Sequence, residues 1–355
     1  MDQEFDIISI GNIKFDTSIL IIYTGGTFGM GYDKNGQLSP FDFESVLEKI
    51  PELNKLGLNI SVYSFPSPVD SSNIESSDWQ LIGQVIFSNY DHYDGFVVLH
   101  GTDTMAYSAS ALSFMLKNLA KPVIFTGAQI PIGATRSDAR ENLITALEFA
   151  SVKFAGEPAV QEVCIYFNHI LLRGNRAQKI RSSNFGAFES ENYPLLAEAG
   201  VEIRFNESCL YKPEKESKLE FFKELDNDAM VLKIFPNMSL NLIEGILQIK
   251  NLKGLVLESF GSGNVMNHNK FVDLLEAHIY KGLIVLNVSQ CSGGSVNHGR
   301  YATSGRLSQI GVLSGHDMTT EAAITKMMFL LAKENSLDIV KAKLSASLRG
   351  ELTVL

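Results

Sequence analysis

A repeated alternation of apolar runs and helix-like segments most constrains the fold of this chain. From residue 19 to about residue 205, apolar runs are followed by turns rich in Gly or Thr and then by segments with helical periodicity. This order is typical of βαβ units around a parallel sheet. Strands are predicted for Ser18–Tyr23, Ile60–Phe65, Gly95–His100, Pro122–Phe125, Val163–Phe167 and Val201–Phe205. Apolar residues at helical spacing from Met105 to Leu116 predict a buried helix that Thr102 or Asp103 could cap, and Asp138–Ala150 predicts another.

The length of 355 residues favours two domains over one. We expect an α/β protein with a larger N-terminal domain, residues 1–205, whose parallel-type sheet is flanked by helices. The charged, Pro-containing segment 206–228 is a predicted linker, and a smaller C-terminal α/β domain would occupy residues 229–355. Its predicted strands are Met230–Phe235, Gly254–Leu257 and Leu283–Val288, and its predicted helices are Asn241–Lys250, Asn269–Lys281, Thr320–Glu334 and Ser336–Leu344.

Charge and composition exclude several classes of protein. A net charge of -10 provides no basic surplus for binding phosphates, so a nucleic-acid partner is not expected. With 45% hydrophobic and 20% charged residues, the chain has the profile of a soluble globular protein without a membrane partner. Its three cysteines, Cys164, Cys209 and Cys291, are scattered, which predicts neither disulfides nor a zinc cage and favours a reducing compartment. The acidic N-terminus lacks the features of a secretory signal, so we expect a cytoplasmic protein whose first residues form an extra strand or arm.

Two threonine motifs follow predicted strands, at the position where parallel-sheet enzymes carry reactive loops. In Thr24-Gly25-Gly26-Thr27, the glycines permit a backbone that could present the Thr27 hydroxyl beside an anion-binding pocket. They could equally form a tight turn, with Thr27 capping the next element. In His100–Thr104, Thr102 and Asp103 have the same two interpretations.

An enzymatic interpretation requires a base, because a threonine hydroxyl is a poor nucleophile until its proton is removed. Lys179 is a candidate, since it lies in the basic segment Arg173–Arg181, whose other charges could favour the neutral amine. A solvated basic loop is the alternative interpretation of this segment.

Asp70-Ser71-Ser72 is interpreted first as a turn and second as a polar clamp for an amino-acid backbone. Zinc-protease, nucleophile-elbow and phosphate-loop motifs are missing from the sequence, so no metal or cofactor is expected.

Taken together, the motifs resemble those of the bacterial type I, cytoplasmic L-asparaginases. The resemblance extends from about residue 19 to the end of the chain. Its motifs are Tyr23–Thr27, Tyr93–Phe96, His100–Thr104, Phe114–Leu116, Lys121–Val123, Thr126–Pro131, Arg173–Arg176 with Lys179, Gln290–Cys291 and Leu348–Leu352.

The resemblance implies a catalytic scheme and an assembly. Thr27 would attack the side-chain amide carbon of asparagine, releasing ammonia and forming a β-aspartyl ester that water hydrolyses. Lys179 would accept a proton through Thr102, and Asp103 would bind the substrate α-amino group. Backbone N–H groups, including that of Thr102, would stabilise the oxyanion, at about 3 kcal/mol per donor. The expected assembly is a homodimer or homotetramer.

Further residues receive roles by the same resemblance. Asp70, Ser71 and Ser72 match the segment that holds the amino-acid end of the substrate, and Ala128 lies in a pocket loop. Gln37 stands where many relatives have a loop tyrosine, so Thr27 would be activated by Tyr32 or by Tyr301, of which we favour Tyr301. Some type I enzymes also bind asparagine at a regulatory site. Cys291 matches a residue of that possible allosteric site, whereas Glu258 and Gln178 replace an arginine and a threonine.

Two other functions remain open. One is an amino-acid-binding sensor that keeps the pocket but has lost turnover. The other is an amidotransferase subunit acting on glutamyl-tRNA, which is expected to carry an added N-terminal domain and a basic surface.

Overall fold

The computed structural model describes residues 5–10, 15–32, 38–40, 50–214, 217–266, 269–298 and 302–354. These residues divide into two compact units. The first extends to Ser190 and includes Pro194–Lys223, and the second comprises Glu191–Tyr193 and the residues from Glu224 onward.

A mixed sheet forms the core of the first unit. Its strands in the described ranges are β1 (Ile7–Ile10), β2 (Ser18–Gly25), β3 (Asn59–Val69), β4 (Gly95–Leu99), β5 (Val123–Thr126), β6 (Val163–Phe167), β7 (Ile170–Arg173), β8 (Ala197–Ala199) and β9 (Ile203–Phe205). These nine strands lie in the order β1-β3-β2-β4-β5-β6-β7-β8-β9. The central strands β3, β2, β4, β5 and β6 are parallel, which confirms the predicted α/β class, whereas β1 and β7 to β9 extend the two edges antiparallel.

The central strands are continuous apolar runs because helices cover both faces of a parallel sheet. Residues Ile19–Ile22 of β2 and Phe96–Leu99 of β4 are fully buried. The helices of this unit are α1 (Ser76–Ser88), α2 (Met105–Met115) and α3 (Ala139–Ser151).

Helix α2 begins differently from the prediction. Its N-cap is Thr104, whose side chain makes no capping hydrogen bond. The prediction that Thr102 or Asp103 caps this helix is therefore wrong, because both residues precede the cap and their side chains contact Lys179 instead.

The predicted linker also differs from the structure. Glu207–Cys209 forms a 3-10 turn, and Glu220–Phe221 pairs with Leu116–Lys117. The predicted linker residues up to Lys223 thus belong to the first unit. The charge pattern of the segment gave no indication of this pairing, which involves residues about one hundred positions away.

Short elements complete the first unit. The other 3-10 turns are Thr27–Gly29, Pro51–Lys55, Ser71–Asn73 and Gly174–Arg176. The other short ladders pair Met30–Tyr32 with Leu38–Pro40, Lys153–Phe154 with Glu157–Pro158, and Gln178–Lys179 with Phe188–Glu189.

The second unit contains a parallel sheet of the strands β10 (Ala229–Lys233), β11 (Gly254–Ser259), β12 (Ile284–Ser289) and β13 (Leu313–Ser314), which lie in this order. Its described helices are α4 (Leu240–Leu247), α5 (Asn269–Tyr280), α6 (Ala302–Gln309), α7 (Thr320–Lys333) and α8 (Leu337–Leu344). Residues of β11 and β12 such as Leu255 and Val285 pack with Phe271 of α5 in its core. Across the ranges described above, no helix is both long and apolar enough to span a bilayer.

Candidate active site

Three neighbouring parallel strands end at the same edge of the larger sheet. Strand β2 ends at Gly25, β4 at Leu99 and β5 at Thr126, and β4 pairs with both of the others. The residues that follow these strand ends include Thr27, Thr102 and Ala128. Loops at the carboxyl edge of parallel strands commonly form the binding crevice of α/β proteins.

Close backbone contacts hold the loops together. Gly26 has φ +80°, and a Cβ atom on it would lie 2.6 Å from Gly101 Cα. A Cβ atom on Gly101 would lie 2.5 Å from Ser71 Oγ. Side chains at these positions would separate the loops, so the glycines allow the segments that carry Thr27, Thr102 and Ser71 to touch.

Lys179 bridges the hydroxyl of Thr102 and the carboxylate of Asp103. Its Nζ donates to Thr102 Oγ1 at 2.7 Å and to Asp103 Oδ1 at 2.6 Å. Thr102 is buried, and the side chain of Lys179 is only 15% exposed, whereas that of Asp103 is 67% exposed. The arrangement joins a hydroxyl to an amine that can exchange a proton with it, next to a carboxylate open to a ligand.

Two basic neighbours of Lys179 are paired with acidic residues. Buried Arg173 lies 2.6 Å from buried Glu162, and Arg181 lies 2.6 Å from Glu189. Two of the positive charges expected to act on Lys179 are therefore compensated, and the charge in contact with its ammonium group is that of Asp103.

Gln129 is a site residue that the sequence analysis did not single out. Its Oε1 accepts a hydrogen bond from Thr102 Oγ1 at 3.1 Å, and its Nε2 donates to the carbonyl of Asn184 at 2.9 Å. The Asp138 carboxylate accepts hydrogen bonds from the backbone N–H groups of Gln129 and Ile130. The place of Gln129 in the Thr126–Pro131 motif was a usable signal for it.

Asp70, Ser71 and Ser72 form the turn predicted as their first interpretation. Asp70 Oδ1 accepts hydrogen bonds from Ser72 N at 2.9 Å and from Ser72 Oγ at 3.0 Å, and caps the 3-10 turn. The carbonyl of buried Ser71 accepts a hydrogen bond from Thr104 Oγ1 at 2.7 Å. Asp70 and Ser72 are exposed, so the turn also leaves polar groups accessible to a ligand.

Several predicted site residues are not located at this edge by the structure. Tyr301 and Gln37 lie outside the described residues, and for Tyr32 only the backbone, at the end of a short strand, is described. In the second unit, Cys291 is exposed, and Glu258 accepts a hydrogen bond from Thr320 and lies 3.4 Å from Lys233 Nζ. The described residues contain no group of three or more His, Cys, Asp or Glu side chains arranged to hold a metal ion.

Comparison with known proteins gives consistent matches along the chain. Residues 18–211 match the family described as Asparaginase, N-terminal, and residues 229–344 match the Glutaminase/Asparaginase C-terminal domain. L-asparaginase 1 of Escherichia coli strain K12 is 41% identical over 338 residues, which are 95% of this chain and 98% of the relative.

Solved structures agree with these matches. The crystal structure of L-asparaginase I from Vibrio cholerae has a TM-score of 0.86 at 39% identity and covers 95% of this chain and 99% of its own. The thermostable L-asparaginase from Thermococcus kodakarensis has a TM-score of 0.86 at 30% identity, and the match covers 96% of this chain and 100% of that structure. Both family matches and these relatives span the two units, so the chain belongs to the asparaginase family.

Proposed function

We propose that the protein hydrolyses L-asparagine to L-aspartate and ammonia. The observation that carries this proposal is the contact of Lys179 Nζ with Thr102 Oγ1 and Asp103 Oδ1 at the edge of the sheet where the Thr27 loop also lies. The similarity to L-asparaginases of Escherichia coli and Vibrio cholerae supports asparagine as the substrate.

Thr27 is the proposed nucleophile. Its Oγ1 attacks the side-chain amide carbon of asparagine and loses its proton, and a tetrahedral oxyanion forms. The C–N bond then breaks, ammonia leaves with a proton gained from the site, and a β-aspartyl ester of Thr27 remains. Tyr301, as its phenolate, is the proposed acceptor of the Thr27 proton, which it then returns to the departing nitrogen.

Thr102 and Lys179 serve the proton transfers in this proposal. In the second half of the reaction, water attacks the β-aspartyl ester, and L-aspartate and the free Thr27 hydroxyl are released. When the Lys179 amine is neutral, it can take the Thr102 hydroxyl proton while Thr102 Oγ1 takes one from this water. This relay is supported by the 2.7 Å contact between the two groups. General base catalysis of this kind contributes typically about 10²- to 10⁴-fold to a rate.

Asp103 is the proposed partner of the substrate α-ammonium group. Its side chain is mostly exposed while it contacts Lys179, so an incoming ammonium can share the carboxylate. Asp70, Ser71 and Ser72 would hold the amino-acid end of the substrate, and Ala128 would line the pocket around the amide.

Ammonia release from L-asparagine tests the proposal. We expect Thr27→Ala, Thr102→Val and Lys179→Met each to lower kcat by about 10²-fold or more. Lys117→Met is the matched control, because Lys117 forms an exposed ion pair with Glu220. Wild-type turnover in one of the three variants would remove that residue from the scheme. Calorimetric binding of aspartate without any ammonia release from asparagine would instead support the amino-acid sensor.

Assembly and location are part of the same proposal. Because the motifs of the chain resemble those of type I asparaginases, we expect copies of the chain to form a homodimer or homotetramer in the cytoplasm. Sedimentation velocity measures the assembly, and a monomer at the concentrations used for activity assays would contradict it.

A further inference from the structure

A buried chain of hydrogen bonds lies behind the Thr102 loop. Trp79 Nε1 of α1 donates to Ser108 Oγ of α2 at 2.8 Å. Ser108 Oγ lies 2.9 Å from His100 Nε2, and His100 Nδ1 lies 2.7 Å from the carbonyl oxygen of Gly101. Ser108 and His100 are almost completely buried, so no solvent competes for these bonds.

The two ends of the chain fix its direction. An indole N–H can only donate a hydrogen bond, and a carbonyl can only accept one. The Ser108 hydroxyl accepts from Trp79 and therefore has its own proton free to donate to His100 Nε2. His100 must then be neutral, with its proton on Nδ1, where it is donated to Gly101.

The surroundings of His100 favour the neutral ring. Burial lowers the pKa of His100 to about 4, although its hydrogen bond to Gly101 and the charge of Asp78 act in the opposite direction. The ring also packs against Phe125, with 5.9 Å between ring centroids. The donor at Nδ1 therefore persists through the neutral pH range.

The bond to Gly101 determines where the next N–H points. The Gly101 carbonyl and the Thr102 N–H belong to one planar trans peptide, in which the C=O and N–H bonds point in opposite directions. Because His100 holds the carbonyl towards the buried side, the Thr102 N–H is directed away from it. Among the described residues, no protein atom accepts a hydrogen bond from this N–H.

We infer that His100 is a positioning residue, which uses Ser108 and Trp79 to hold the Gly101–Thr102 peptide so that the Thr102 N–H donates to the oxyanion formed during amide hydrolysis. This inference rests on the proposed function. In this inference His100 orients the Thr102 N–H, whereas Thr102 and Lys179 of the proposed proton relay transfer protons. A donor fixed before the reaction stabilises the developing charge without reorganisation during the reaction.

Two substitutions at His100 separate positioning from packing. The amide nitrogen of His100→Asn lies near the position of Nδ1 and can still donate to Gly101, whereas His100→Gln places its amide near Nε2 and loses that donor. We expect kcat for asparagine to fall about 10- to 100-fold in His100→Gln, with KM changed less than about twofold. His100→Asn should recover much of the loss, whereas equal kcat values in the two variants would overturn the inference.

A distal substitution provides a test if the His100 variants fold poorly. Ser108→Ala removes the donor to His100 Nε2 and should lower kcat about 3- to 10-fold, again with little change in KM. Ser113→Ala is the matched control, since Ser113 is a buried serine on the same helix whose hydroxyl donates to the Ala109 carbonyl. Equal kcat values for the two serine variants would contradict the inference.

The tautomer can be measured without an activity assay. Two-bond ¹⁵N–¹H correlation spectra of the wild-type protein should show His100 protonated at Nδ1 and unchanged between about pH 5.5 and 8, given its lowered pKa. A proton on Nε2 would overturn the positioning role even in an active enzyme. If the wild type instead releases no ammonia from asparagine while the Nδ1 tautomer is present, the proposed function fails and the hydrogen-bond chain is purely structural.

Discussion

Gln129 Oε1 lies 3.1 Å from Thr102 Oγ1 and accepts its hydroxyl proton. The Oε1 and Nε2 atoms of Gln129 cannot exchange places by a 180° flip of the amide, because Nε2 donates to the carbonyl groups of Ser182 and Asn184. In this state the Thr102 oxygen accepts from Lys179 while its proton points to Gln129. A proton relay from Thr102 to Lys179 therefore requires the Thr102 hydroxyl to rotate away from Gln129.

We predict that Gln129→Glu lowers both activity and local order. A carboxylate at this position would face the carbonyl oxygens of Ser182 and Asn184 without a proton to donate. The loop of residues 182–186 would then lose both hydrogen bonds from residue 129. An unsatisfied polar group of this kind costs about 1–3 kcal/mol, so we expect a fall in kcat of about 10-fold or more. Ammonia release and hydrogen exchange of residues 182–186 measure the two effects.

Gln84→Glu is the control for the glutamine substitution. Gln84 lies on α1, and its amide donates to the hydroxyl of Ser88 at an exposed position. If Gln129→Glu exchanged hydrogen in the 182–186 loop at the wild-type rate, the proposed attachment of this loop would be incorrect.

The buried imidazole of His100 predicts a loss of stability on acidification. Its pKa is lowered from 6.5 to about 4 in the folded protein, so between these values the unfolded chain binds a proton that the native state does not. Stability therefore rises with pH across this interval and is lost as the pH falls, by up to roughly 3 kcal/mol at pH 4. The pKa values of Asp94 and Asp226 are also lowered, but from 3.8, so they add their loss mainly below pH 4.

Urea unfolding at pH 7, 5.5 and 4.5 measures this dependence. Because other groups also titrate, the relevant quantity is the difference between the wild type and His100→Asn, which cannot bind a proton at this position. We expect the free energies of unfolding of the two proteins to converge as the pH falls. A constant difference would show that His100 does not remain neutral in the folded state.

The ion pair of Lys326 and Glu351 anchors the C-terminal segment of the second unit. The two side chains are 0% exposed and 2.6 Å apart, and Lys326 also donates to the carbonyls of Leu344 and Ala346. We predict that Lys326→Met lowers the free energy of unfolding by about 3–5 kcal/mol, because it leaves the Glu351 carboxylate buried without its counterion. Thermal and urea unfolding measure the loss.

A double variant separates the pair from simple packing. In Lys326→Met with Glu351→Leu no charge is left buried, so the combined loss should be smaller than the sum of the two single losses. The exposed pair of Lys117 and Glu220 is the comparison, and Lys117→Met should cost less than about 1 kcal/mol. Additive losses at Lys326 and Glu351 would contradict a coupled pair.

The fold was largely predictable because its central strands carry a strong local signal. The runs Ile19–Tyr23 and Gly95–Leu99 are apolar throughout, since they are buried on both faces of the sheet. By contrast, the pairing of β7 with β8 and the pairing of Glu220–Phe221 with Leu116–Lys117 join distant segments, which short sequence windows do not contain together.

The candidate site was predictable where a motif carried it. Thr102, Asp103 and Lys179 were singled out from sequence, and the structure brings the three side chains together. Ser108 was not, because a single buried serine in an apolar helix has no pattern of its own. Gln129 was not singled out either, although it lies in the Thr126–Pro131 motif. Their significance depends on hydrogen bonds to residues 27 and 8 positions away.

Gly26 lies where the two threonine loops of the candidate site touch, and we predict that Gly26→Ala removes most activity. Its φ of +80° is unfavourable for a residue with a side chain, at roughly 1–2 kcal/mol, and the added Cβ would lie 2.6 Å from Gly101 Cα. The loops carrying Thr27 and Thr102 would have to separate, and a misplacement of about 1 Å can cost about 10²-fold in rate. Gly133→Ala is the matched control, because a Cβ on Gly133 meets no atom within 4 Å. Ammonia release should fall about 10²-fold in Gly26→Ala and remain near the wild-type rate in Gly133→Ala, and a fully active Gly26→Ala would show that the contact of the two loops is not needed for catalysis.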